Sequence, residues 1–173
     1  MPLKEMTCCF TGHRPHKLFL GGDSLSGQSR IKKALSESIL VAAAKGYKYF
    51  VSGMARGVDM WAAEKVLEIK KSGLNISLVC AVPYRGQPER WQESEKRQYF
   101  NILNEADKLY YACDNYTREC MDMRNRLMVD MSSLVIAVYD GRRGGTKNTI
   151  DYAIKRGRKI VVIRPGEEEG IFP

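Results

Sequence analysis

The sequence predicts a single α/β domain built on a doubly wound, mainly parallel sheet. Three observations carry that prediction. Short apolar or β-branched runs alternate with longer stretches of helical period. Glycine-bearing turns repeatedly follow a strand and precede a helix. The chain has 173 residues, of which 44% are apolar and 28% charged, enough for one core, and no interdomain linker interrupts it.

Taken in order, residues 6–11 read as a first strand and 29–45 as an amphipathic helix that stops at Gly46. A second strand at 49–52 leads to a helix over 58–71, ended by Gly73. The run 76–82 is apolar apart from Ser77, as expected of a strand covered on both faces. A helix over 88–106, a short strand at 108–112, a helix over 117–131 and the strand 134–139 follow. A helix over 146–156 and a last strand at 159–163 close the series. Alternation of this kind gives a parallel sheet, and right-handed crossovers then wind helices onto both faces. The expectation is a Rossmann-like fold, with one long irregular stretch at 14–28.

Composition narrows the function classes. The longest apolar runs fall well short of the roughly 20 residues that a membrane-spanning helix needs. Residues 1–5 enter a strand-like segment without an apolar signal-type stretch, so the expected location is the cytoplasm. The five cysteines form no C-x-x-C pair and the two histidines, His13 and His16, lie far from Cys113 and Cys120. Reduced cysteines and no metal site are expected. The formal charge of +8 attracts polyanions without identifying one.

The informative feature is where the glycines fall. The first strand ends in Thr11-Gly12-His13-Arg14-Pro15, the second in Ser52-Gly53-Met54-Ala55-Arg56-Gly57-Val58-Asp59, and the fifth in Asp140-Gly141-Arg142-Arg143-Gly144-Gly145-Thr146. In a parallel sheet all three turns lie at the carboxyl edge, where ligands bind in open α/β folds. Gly57 and Gly145 precede helices whose first N–H groups suit an anion. Thr146 is placed to cap its helix or meet a phosphate, and Arg14 and Arg56 to add charge. Asp59 is read as a ligand to a ribose hydroxyl or as a partner of its helix dipole. His13 is the only general base near the first loop. Neither G-x-G-x-x-G nor a P-loop is present, so hydride transfer and P-loop hydrolysis find no support.

Phe10-Thr11-Gly12-His13-Arg14-Pro15, the Ser52 to Asp59 turn and Gly144-Gly145-Thr146 together resemble the YpsA-like branch of the SLOG superfamily. That superfamily also contains the DNA-processing protein DprA and the LOG phosphoribohydrolases. The resemblance spans nearly the whole chain. It implies a Rossmann-like fold with a pocket for a nucleotide or nucleotide derivative, used in binding or sensing, with no cofactor specified. It is also compatible with self-association into a homo-oligomer.

Two relatives imply rival functions. Met121-Asp122-Met123-Arg124-Asn125-Arg126 resembles the M-x-x-R-K motif of LOG enzymes, which places Arg124 on their catalytic arginine and implies nucleoside monophosphate hydrolysis. Asn125 replaces the motif's lysine, and Thr149 stands where its glutamate belongs. Threonine is a poor substitute for a carboxylate beside a developing oxocarbenium ion, which leaves Asp59 or Glu64 as the candidate carboxyls and keeps hydrolysis behind binding. The serine-glycine-x-alanine-arginine-glycine turn is similar to that of DprA and implies single-stranded DNA as the third reading. The ligand-binding set is therefore Gly12, His13, Arg14, Ser52, Gly53, Arg56, Gly57, Asp59, Arg124, Gly144, Gly145 and Thr146. After the third strand, Tyr84 and Trp91 are candidates to stack on a base and Arg85 to meet a phosphate. For Trp91, as for Trp61, packing against the core is the favoured role.

Overall fold

A computed structural model describes residues 3–18 and 24–165. Six strands form one wholly parallel sheet: β1 (Thr7–Gly12), β2 (Tyr49–Ser52), β3 (Ser77–Val82), β4 (Lys108–Tyr111), β5 (Leu134–Val138) and β6 (Lys159–Ile163), in the order β4-β3-β2-β1-β5-β6. The helices are α1 (Pro15–Leu18), α2 (Ser24–Ala44), α3 (Val58–Lys71), α4 (Glu93–Glu105), α5 (Cys120–Met131) and α6 (Gly145–Lys155). Strand order runs outward from β1 to β4 and then restarts with β5 on the other side of β1. The switch point, and the crevice it opens, therefore lies between the carboxyl ends of β1 and β5.

The pleat sorts the core into two layers. Cys8 and Phe10 of β1 face the cluster built with Ile31, Leu35 and Ile39 of α2, Ala63 and Val66 of α3, and Tyr99 and Ile102 of α4. Cys9, between them, faces the second cluster, with Met128, Val129 and Met131 of α5 and Ala153 of α6. The first three crossover helices thus cover one face and the last two the other. Both faces are buried, which is why β5 and residues 78–82 of β3 read as unbroken apolar runs.

Helix starts differ from the sequence reading. Helix α2 begins at Ser24, five residues early, because none of residues 25–30 joins the core and the apolar period starts only at Ile31. A short helix headed by Pro15 occupies part of the stretch expected to be irregular, whose residues 19–23 lie outside those described. Helix α4 begins at Glu93, not near Pro88, because residues 84–91 fold into successive turns. Gln92 is extended there, and the Glu95 carboxylate accepts its N–H at 3.1 Å, closing the helix start. Among the described residues no helix is long and apolar enough to cross a membrane.

Candidate functional site

The second glycine turn is organised around Asp59. The Ser52 hydroxyl accepts the Met54 N–H at 3.2 Å and donates to the Asp59 carbonyl at 2.8 Å. The Ala55 N–H reaches Asp59 Oδ2 at 3.3 Å, so the carboxylate of the first α3 turn folds back over its own loop. Met54 takes a positive φ of 56°, held by the Gln87 amide, which donates to its carbonyl at 3.2 Å. Gln87 in turn accepts the Tyr99 hydroxyl. Gly57, at φ 90°, would press a Cβ against the Pro15 ring, 2.6 Å from its Cδ, which joins this turn to the one after β1.

Arg124 arrives from the opposite layer. It stands on α5, yet its guanidinium crosses the carboxyl edge of β2 and reaches the turn before α3. Its Nη1 donates to the Gly53 carbonyl and lies 3.4 Å from Asp59 Oδ2. The crossing requires glycine at position 53, since a Cβ there would sit 2.6 Å from Arg124 Cζ and 2.7 Å from Asp59 Oδ2. Both side chains are buried, 5% exposed for Arg124 and 7% for Asp59. Burial pushes the Asp59 carboxyl above its ordinary value, against the pull of Arg124, the Ala55 N–H and Arg14. Burial likewise pushes the Arg124 guanidinium down, against Asp59. Arg124 Nε is buried with no hydrogen-bond partner among the described residues.

That guanidinium borders a cavity of about 270 Å3 at the β1/β5 switch point. Gly12, His13 and Arg14 line it from β1, Asp59 from α3, Arg124 and Asn125 from α5, and Gly145 and Thr146 from α6. Helix α6 starts here with no side-chain cap on Gly144 and no acidic residue in its first turn. Gly144 sits at φ 149°, and a Cβ on Gly145 would meet nothing within 4 Å. The first turn of α6 thus offers N–H groups and the positive end of a dipole at the cavity wall. His13 is buried against the Tyr139 ring, with Nε2 2.8 Å from Asp140 Oδ1 in an approach that forms no aligned N–H···O bond. The Arg142 side chain bonded to Asp140, with help from its backbone N–H and from His13, holds that carboxyl down to about 2.

Of the twelve residues of the ligand-binding set, seven therefore line one cavity: Gly12, His13, Arg14, Asp59, Arg124, Gly145 and Thr146. Ser52, Gly53 and Gly57 shape the turn behind it, and Gly144 positions the start of α6. Arg56 lines an adjoining cavity of about 480 Å3 and pairs with Glu95 at 3.4 Å. Arg126 points elsewhere, pairing with Asp122 over the Tyr152 ring, and Arg85 lies over Tyr111. Glu64 is held by Gln98 and Lys32 outside this cavity. Thr149 donates to the Gly145 carbonyl at 2.8 Å, and Asp151 pairs with Lys147. Sequence reasoning missed Asp140 as the partner of His13, although an acidic residue just past a strand at the ligand edge was the available signal. It also missed that Asp59 and Arg124, drawn from separate motifs, face each other.

Comparison with known proteins agrees with this architecture. The model of the YspA SLOG family matches residues 8–161. A UPF0398 protein of Halalkalibacterium halodurans is 28% identical over 172 residues, covering 93% of this chain and 89% of the relative. A UPF0398 protein of Bacillus cereus is 29% identical over 154 residues, covering 85% and 82%. Among solved structures, DNA processing protein A of Streptococcus pneumoniae superposes with a TM-score of 0.64 at 19% identity. The match covers 95% of this chain but spans only about half, 52%, of that protein. The Helicobacter pylori protein of the same name, whose structure describes a single-stranded DNA binding mode, gives a TM-score of 0.62 at 18% identity, covering 96% of this chain and 69% of its own. The two structures share the Rossmann-like fold with this chain. The chain belongs to the YspA SLOG family.

Proposed function

We propose that this member of the family binds a nucleotide or nucleotide-derived ligand at the β1/β5 crevice, as a sensor of that ligand, with its phosphate between Arg124 and the first turn of α6. One observation carries the reading: a buried guanidinium with an unpartnered Nε borders the same cavity as an uncapped helix start. An unpaired buried donor costs about 1–3 kcal/mol, and a phosphate oxygen removes that cost. The α6 dipole, the Thr146 hydroxyl and Arg14 favour the same anion. Asp59 balances Arg124 and leaves Arg14 as the second cation at the cavity.

The test is calorimetric titration of the full chain with AMP, ADP-ribose, NAD and cyclic nucleotides. Binding of at least one is expected, weakened tenfold or more in Arg124→Lys. Failure of all four to bind overturns the reading.

Asp59 favours a second reading, glycosidic cleavage of a nucleoside monophosphate. Its carboxyl lines the cavity, where a carboxylate stabilises a developing oxocarbenium ion or activates water. Thr149 and Asp151 take other partners. Release of free base from a monophosphate, lost in Asp59→Asn, is the expected readout, and no release across the common monophosphates ends it. Single-stranded DNA along the same edge is favoured by the charge of +8 and by the binding mode described for the Helicobacter pylori protein. That reading expects a gel shift with oligo-dT that weakens steeply with salt, and no shift at low salt excludes it.

A further inference from the structure

The second cavity adjoins the first. Arg14, Ala55 and Met121 line both, so the two adjoin along the carboxyl edge from α6 to the turns before α4. The character of the wall changes along it. Around the α6 end it is mostly polar, with the Arg124 guanidinium, the Asp59 carboxylate, His13 and the Thr146 hydroxyl. At the far end it is aromatic: Tyr84, Trp91 and Tyr116, with Tyr84 and Tyr116 edge-to-face at 5.3 Å and 71°. Trp91 packs edge-on against buried Tyr99 at 5.3 Å, and Arg56 lies 5.5 Å from its ring centre. Arg56 is itself tied to Glu95, so the indole is held from two sides.

Polar groups at this end divide into occupied and free. Both ends of the Gln87 amide are engaged, with Met54 and with Tyr99. The exposed Glu89 lines the cavity with its carboxylate folded close over Gly86, and while its backbone N–H donates to the Gly86 carbonyl at 3.1 Å, the carboxylate makes no hydrogen bond or ion pair among the described residues. A free carboxylate beside aromatic faces accepts hydrogen bonds from a flat ring that carries N–H groups on its edge.

We propose that the second cavity is a nucleobase subsite, stacking an amino-bearing purine on Tyr84 and Trp91 with its N–H edge toward Glu89. The proposal rests on the phosphate site above and identifies the ligand as a purine nucleotide laid along the crevice, phosphate at α6 and base at Tyr84. Stacking of a base on an aromatic side chain is a sequence-tolerant contact, and the Glu89 carboxylate supplies the discrimination.

The test titrates the full chain with AMP, GMP and ribose 5-phosphate, followed by calorimetry and by tryptophan fluorescence. AMP or GMP is expected to bind at least tenfold tighter than ribose 5-phosphate and to quench a signal that Trp91→Phe removes. Tyr84→Ala and the surface change Glu89→Ala are expected to lower nucleotide affinity while leaving ribose 5-phosphate binding within twofold. Equal affinity for nucleotide and ribose 5-phosphate overturns the base subsite and leaves the phosphate site standing. Variants that weaken both probes alike overturn it too, since they report a loss of shape and not of a base contact. If no probe binds, the base subsite fails, and the phosphate reading stands or falls on ADP-ribose, NAD and the cyclic nucleotides.

Discussion

At the scale of single residues, two glycines of the site have opposite reasons to be glycine. A Cβ at Gly53 collides with the buried Arg124 guanidinium, whereas one at Gly145 enters open cavity. Gly53→Ala should destabilise the fold by about 1–3 kcal/mol, read from urea denaturation midpoints. Gly145→Ala should leave stability within about 0.5 kcal/mol yet weaken the proposed nucleotide binding, because its methyl enters the space proposed for the phosphate. Asp140 adds a pH signature. Its carboxyl is lowered from 3.8 to about 2, chiefly by Arg142. A depressed carboxyl stabilises the fold above its unfolded value and loses that contribution as pH falls through the folded one. Arg142 is 45% exposed, and solvent screening reduces the contribution to about 1 kcal/mol. Asp140→Asn should therefore be less stable than wild type at neutral pH, with the difference closing between about pH 4 and 2 in urea melts.

At the scale of elements, the edge strand β4 depends on the residue just before it. The Asp107 N–H donates to the Leu78 carbonyl at 2.9 Å, and its carboxylate accepts the Leu78 N–H at 2.9 Å and Lys70 at 2.6 Å. Asp107 thus continues the ladder one residue beyond β4 using a side chain as the acceptor. Asp107→Ala should cost about 1–3 kcal/mol, with faster hydrogen exchange at Leu78 than in wild type, because that N–H loses its acceptor. The strands were legible because both faces of the sheet are buried, which leaves apolar runs such as 134–138 with no polar interruption. Helix starts were less so. Residues 25–30 of α2 stay out of the core and carry no apolar period, and the start of α4 is set by the Glu95 carboxylate reaching back to Gln92, a contact that Pro88 obscures.

At the scale of the whole molecule, the crevice is where the two layers meet, since Asp59 and Arg56 belong to the α3 side and Arg124, Gly145 and Thr146 to the α5/α6 side. A ligand seated there bridges both, so it should raise a single unfolding transition and not split it. AMP at about 100 times its dissociation constant should add about 2.7 kcal/mol. For a domain of this size the calorimetric midpoint should rise by about 5–10 °C.

The sequence by itself determined the α/β alternation, the carboxyl-edge placement of three glycine turns and the residues that form them, because backbone propensity and pleat period are local. Only the tertiary structure decided that β5 returns beside β1, which sets the crevice at His13 and Asp140. It also decided that Arg124 pairs with Asp59 across 65 residues of chain while keeping one donor unpartnered. Both depend on which layer each helix covers and how far a guanidinium reaches over a glycine. Those are distances through space, and the order of residues along the chain does not contain them.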